Sequence, residues 1–212
     1  MTEGVLAGTA RARRRCGGRQ IEAERRVARR AHYDQVREQI QTGDLVFFRG
    51  RGPLSRLIRK LSGCVYSHVG ITWWEGHLVV FHARLPIGVE VLPARRLVWR
   101  YDGQVDWWTL RLEHANRLDR GRLLSVAIAE LGKSYSFRGL VGAGLRLLAG
   151  RISGRCDPVG LPETYFCSQF VSACFRGGGV DLAPDEADAC TSPGSIVRAG
   201  QVEMRAVLRR PR

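Results

Sequence analysis

Two segments far apart in the sequence carry residue types suited to nucleophilic acyl chemistry. Ser67-His68-Val69-Gly70-Ile71 offers an imidazole at the mouth of a β-strand, and Tyr165-Phe166-Cys167-Ser168-Gln169-Phe170-Val171 offers a thiol in the first turn of a helix. A helix start presents unpaired backbone N–H groups and the positive end of the helix dipole, which favour thiolate over thiol. Such placement lowers a cysteine pKa from ~8.5 towards neutrality. Cys174 falls two turns further on, on nearly the same stripe as Phe170, Val171 and Phe175, and reads as a buried, inert thiol. A small apolar residue packed under a helix end is the competing reading of Cys167. The choice between the two depends on whether a base is at hand.

The sequence holds five histidines. His32 belongs to a basic leader, His77 to a turn and His114 to a polar loop. His68 and His82 lie in strand-like segments with apolar neighbours, where an unpartnered imidazole is costly. If the hairpin between them has an odd-numbered loop, for instance Trp74-Glu75-Gly76, His68 stands directly opposite His82 on one sheet face. A two-residue turn at Glu75-Gly76 puts them on opposite faces. With the first register, Cys167, His68 and His82 supply nucleophile, base and orienter.

The elements that must position these residues are legible as periodicities. Residues from about Gln20 to Gln41 read as a polar helix broken at Gly43, and Asp44 to Phe48 as a buried strand. Ser55 to Leu61 forms a short amphipathic helix. His68 to Trp74 and Leu78 to Ala83 form a hairpin, with further strands at Val89 to Leu92 and Val105 to Leu112. Leu123, Leu124, Ala127, Ile128 and Leu131 recur at helical spacing before Gly132. The apolar stretch Leu140 to Leu148 is too short to cross a bilayer and reads as a covering helix, and residues 150–163 form a Gly/Pro-rich loop.

Bulk properties narrow the class. At 212 residues the chain can bury a core without staples. The six cysteines include no C-x-x-C pair, so free thiols are expected rather than disulfides or a structural zinc site. The net charge is +14, which attracts anionic partners without specifying one; arginine-rich codon usage accounts for it equally well. Residues 1–30 carry nine Arg against three Glu, the pattern of a solvated extension or an anion-binding arm. The expected organisation is therefore an arginine-rich extension over residues 1–41, partly helical or disordered, followed by one catalytic domain over 42–212. No apolar stretch fits a secretory signal or a membrane span, so a cytoplasmic location is the default, with export by a non-Sec route left open.

Gly43-Asp44-Leu45-Val46-Phe47-Phe48, His68-Val69-Gly70-Ile71, Phe81-His82-Ala83 and Gly88-Val89 resemble the barrel half of the NlpC/P60 superfamily of papain-like cysteine peptidases. Cys167-Ser168-Gln169-Phe170-Val171 is similar to that family's nucleophile segment, lacking its preceding Asp and following Gly. Leu131-Gly132-Lys133-Ser134-Tyr135 resembles the stretch before the nucleophile. The order here, His before Cys, resembles the circularly permuted branch, which includes YiiX/YaeF-like amidases and lecithin:retinol acyltransferase-like proteins. The resemblance covers roughly residues 42–197. It implies an α+β fold with a small antiparallel barrel or sheet against helices, and the roles of nucleophile, base and orienter for Cys167, His68 and His82.

The reaction so implied is double displacement through a thioester, on an amide or ester, with no cofactor and no metal. The backbone N–H of Cys167 and a second donor, Tyr66 or Tyr135, are the candidates for meeting the oxyanion. The substrate classes in view are peptide, cell-wall peptide included, amide and lipid-like or lipid-linked molecules, and five tryptophans (Trp73, Trp74, Trp99, Trp107 and Trp108) could line an apolar groove or serve as packing. Acyl transfer is the close alternative. A non-catalytic module binding an anionic polymer or a membrane surface through the leader is a more distant one, and specific nucleic-acid recognition is not expected. A zinc site built from Cys167, His68 and His82 is disfavoured, because hydrolytic zinc centres rarely draw on this trio.

Overall fold

A computed structural model describes residues 21–84, 86–133, 167–186 and 191–210. Its centre is a seven-stranded sheet. In chain order the strands are β1 (Arg30–His32), β2 (Leu45–Gly50), β3 (His68–Glu75), β4 (His77–Arg84), β5 (Gly88–Pro93), β6 (Gly103–Leu110) and β7 (Val202–Arg209). Their order across the sheet is β1-β7-β6-β2-β3-β4-β5. Only the β1–β7 pairing is parallel.

Period-two alternation explains why this sheet has two buried faces. Leu45, Phe47, Val69, Ile71, Val79, Phe81 and Trp108 join one core cluster; Val46, Phe48, Leu78, Val80, Val105 and Trp107 join the other. The first face is covered by α6 (Arg120–Ala129), α7 (Cys167–Gly177) and α8 (Pro193–Arg198), through Leu123, Ala127, Phe170, Val171, Phe175 and Ile196. The second is covered by α2 (Tyr33–Val36) and α4 (Ala94–Arg100), through Tyr33, Val36, Ala94 and Val98. The remaining helical pieces are α1 over 21–27, α3 (Pro53–Ser62) and α5 (Leu112–Ala115). The α+β architecture expected from the sequence is the one observed, although α4, α8 and the strands β1 and β7 at one side of the sheet were not anticipated.

Residues 21–40, placed in the extension from the sequence, pack into the two core clusters. The single polar helix expected from Gln20 to Gln41 is instead α1, β1, α2 and a 3₁₀ turn at Arg37–Gln39. Ile21, Ala31, Tyr33, Val36 and Ile40 are all core residues. Arg25 is buried too. Its guanidinium pairs with the fully buried Asp106 and donates to Gln104 Oε1 at 2.7 Å. Tyr66 Oη donates to the same Asp106 at 2.7 Å, and Trp108 Nε1 donates to Tyr66 Oη at 3.2 Å. A buried charge held this way is a structural tie between residues 21–40 and the centre of the sheet. Residues 1–20, and the expected helix and loop over 140–163, lie outside the described residues.

Of the five tryptophans, for which groove lining and packing were both open, Trp107 and Trp108 serve as packing. Trp107 donates its Nε1–H to buried Asp44 at 2.7 Å, and Trp108 is occupied as above. A bulge in the β6–β7 pairing falls between these two residues.

Candidate active site

His68 is the first residue of β3, paired with Phe48 of β2, whose ring lies 5.1 Å from its own between centroids. The β3–β4 hairpin turns at Gly76, which takes a left-handed φ of +66° that favours glycine. Its register pairs Glu75 with His77 and Ile71 with Phe81. Continued, that register sets His82 opposite Gly70 rather than opposite His68. The loop is thus odd-numbered and the two imidazoles do share a face, but they meet on the diagonal. A Cβ on Gly70 would stand 2.6 Å from Val80 Cγ1 and 3.2 Å from His82 Cβ, so glycine is what allows His82 to sit this close to β3. His68 Nε2 and His82 Nδ1 are 3.0 Å apart.

The chain of contacts extends one residue further, to Glu90, which the sequence did not mark. β5 pairs Glu90 directly with His82, and Glu90 Oε1 lies 3.6 Å from His82 Nε2, which has no hydrogen-bond partner although it is buried. Arg84 Nε pairs with the same carboxylate oxygen. An Nε2–H on His82 aimed at Glu90 leaves His82 Nδ1 as acceptor. His68 must then carry its proton on Nε2, which leaves His68 Nδ1 as the free basic nitrogen. Glu90 was overlooked because a lone Glu in a short strand has no local signal; the even spacing from His82 through a tight turn was the only hint.

Both imidazoles are held neutral. Burial, then the neighbouring His82 and Arg84, push the His68 pKa well below its usual value. Burial lowers His82 to about 4, partly opposed by Glu90, with Arg84 adding to the lowering.

Cys167 is the first described residue of α7 and is 8% exposed. The backbone N–H groups of Val69, Ser168 and Cys167 itself favour its thiolate, but burial outweighs them and pushes the thiol up to about 11. The expectation of a thiol lowered by the helix start is therefore corrected: desolvation wins, and the resting group is a thiol. Cys64, Cys167 and Cys174 are free, and burial, with Glu130 nearby, pushes the Cys174 thiol up as well.

The structure brings Cys167 to the residue beside His68, through the Val69 N–H, but no hydrogen bond among the described residues joins its sulfur to the His68 ring. Tyr66 does not serve the site, since its hydroxyl is committed to Asp106 and Trp108 in the core. Tyr135 lies outside the described residues. Another tyrosine stands near the thiol: Tyr101, following α4, hydrogen-bonds Ser67 and Ser55 and lies within electrostatic reach of Cys167. Burial is the main cause raising its pKa, so the hydroxyl stays protonated as a donor. No sequence pattern marked it.

Residues 39–141 match the family of permuted papain-like amidase enzymes of the YaeF/YiiX type. The matched segment contains His68, His82, Glu90 and Tyr101 and ends before Cys167. No curated protein matches the sequence. Among solved structures, the chain resembles a crystal structure of YiiX from Escherichia coli O157:H7, with a TM-score of 0.56 and 19% identity over 80% of this chain and 98% of that one. YiiX is described there as a metalloprotein; among the described residues here, no group of three or more His, Cys, Asp or Glu is arranged to hold a metal ion. Nor is any described helix long and apolar enough to cross a membrane. Residues 39–141 are thus similar to the permuted papain-like amidases of the YaeF/YiiX type, and the chain as a whole shares the fold of YiiX.

Proposed function

We propose that this protein is a cysteine hydrolase of amide bonds, with Cys167 as nucleophile, His68 as general base and acid, and His82 as the residue that orients His68. The observation that supports this most directly is the 3.0 Å contact between His68 Nε2 and His82 Nδ1, beside the strand residue whose N–H meets the thiol. Glu90 backs His82 in the same sense that His82 backs His68.

Because thiol and imidazole are both neutral at rest, proton transfer accompanies attack rather than preceding it. The Cys167 sulfur adds to the substrate carbonyl while His68 Nδ1 takes the thiol proton. The backbone N–H groups at the start of α7 and the Tyr101 hydroxyl meet the oxyanion. Collapse breaks the C–N bond, His68 returns the proton to the leaving amine, and a thioester remains on Cys167. Water, deprotonated by His68, then adds to the thioester and releases the acid and the free thiol. The Cys167–His68 hydrogen bond closes when substrate binds, as such bonds commonly do.

Incubation with a panel of N-acyl amides, followed by intact-mass measurement, tests this reading. An acyl adduct confined to Cys167, and turnover abolished in Cys167→Ala, are expected. Undiminished hydrolysis in Cys167→Ala would overturn it.

A further inference from the structure

The stretch from Leu45 to Trp74 contains no Asp or Glu but five Arg or Lys residues, and 91–101 contains no acid and three arginines. Both stretches come together at one end of the sheet, where Arg51 N donates to Asp102 O at 3.1 Å and Gly50 pairs with Gly103. They carry α3 and the last turn of α4.

Helix α3 sorts its residues by type around its axis. Leu54, Leu57 and Ile58 recur at i, i+3 and i+4, while Arg56, Arg59 and Lys60 fall on the opposite side. The helix turns Ser55, Ile58 and Arg59 partly towards the protein, leaving Leu54 44% and Leu57 52% exposed beside exposed Arg56 and Lys60. Trp99 at the end of α4 is 54% exposed, with the Arg100 guanidinium 6.0 Å from its ring centre. Elsewhere on the surface arginines pair with acids, as in Arg122–Asp119, Arg176–Asp181 and Arg205–Glu203. Among the described residues Arg51, Arg56, Arg96 and Arg100 meet no carboxylate within 4.0 Å.

Exposed leucine and tryptophan flanked by cations are the signature of a helix that lies in a lipid interface: the apolar side chains enter the acyl boundary while the cations reach the headgroups. A purely polyanionic partner would use the charges and leave Leu54 and Leu57 without a role. We infer that α3 and the end of α4 form a docking surface for an anionic lipid bilayer. Ser55 of α3 hydrogen-bonds Tyr101, so this surface adjoins the candidate active site. The inference is independent of the proposed chemistry.

The test uses the full chain as Cys167→Ala, mixed with phosphatidylcholine vesicles with and without phosphatidylglycerol and separated by flotation. Binding is expected only with phosphatidylglycerol present. Brominated acyl chains should quench part of the tryptophan emission, and Trp99→Phe should remove that part. Leu54→Glu/Leu57→Glu should weaken flotation about tenfold or more at unchanged melting temperature. Equal flotation of this variant would overturn the inference, since another basic segment would then carry the contact. A melting temperature lowered by several degrees would do so as well, since the face would then be covered by the chain itself. Loss of vesicle binding to a competing soluble polyanion, equally in parent and variant, would assign the surface to charge alone.

Discussion

His82 stands opposite Gly70 in the β3–β4 register, and from there its Nδ1 reaches diagonally to His68 Nε2 at 3.0 Å. The missing side chain at Gly70 is what makes the diagonal possible, because a Cβ there would press on Val80, the Phe81 carbonyl and His82 at once. The contact between the two imidazoles therefore depends on strand spacing as much as on the two histidines.

That pair makes stability sensitive to acid. His82 has an ordinary pKa of 6.5 when unfolded and about 4 when folded, so between those values the unfolded chain binds more protons. Stability then rises with pH across this window and is lost as pH falls from 6.5 towards 4, by about 3 kcal/mol from His82. Denaturant midpoints measured from pH 4 to pH 7 should show this slope, and His82→Asn should flatten it.

The thiol titrates in the opposite range. With Cys167 pushed up to about 11, alkylation by iodoacetamide should be slow at neutral pH and accelerate with a midpoint well above that of a free cysteine (~8.5). A midpoint at or below 7 would instead mean a preformed thiolate–imidazolium pair. Catalytic turnover should be constant through neutrality and fall only when acid protonates His68, below its usual pKa.

Glu90→Gln separates positioning from folding. Its partner Arg84 is about half exposed, so losing that pair should cost no more than about 1 kcal/mol. Turnover should fall about tenfold, as for loss of other outer-shell partners of a working histidine. Because Glu90 raises the His82 pKa, the acid limb of both activity and stability should move to lower pH in the variant. An unchanged pH profile would show that Glu90 is only a surface ion-pair partner of Arg84.

The two tyrosines should behave differently. Tyr101→Phe is expected to lower kcat by up to about 100-fold with little change in melting temperature, as for removal of an oxyanion donor. Tyr66→Phe should leave kcat nearly intact and cost about 1–3 kcal/mol, because buried Asp106 loses a donor. Kinetics and thermal melts on both variants decide the assignment.

Arg25→Ala should be among the most destabilising changes in the chain, at about 3–5 kcal/mol, since it removes the cation from the buried Asp106 and leaves Tyr66 as its remaining side-chain donor. A loss below about 1 kcal/mol would mean that residues 21–40 are dispensable to the core.

Local signals carried much of this protein. The alternation around His68 and His82, the helical spacing after Cys167, the turn at Gly76 and the order of histidine before cysteine are all properties of short windows, and they marked three side chains, the hairpin and the fold. What stayed illegible depends on residues distant in the chain. Glu90 meets His82 only when β5 pairs with β4, and Tyr101 comes near Cys167 only when the end of α4 reaches Ser55 and Ser67. Arg25 looked like one cation in a solvated leader until Asp106 lay beneath it, and β1 could not be read as a strand without β7 from the other end of the chain. The protonation of Cys167 was decided in the same way. The sequence supplied the helix start that favours thiolate, but burial is a sum over the whole tertiary structure, and at this position it is the larger effect.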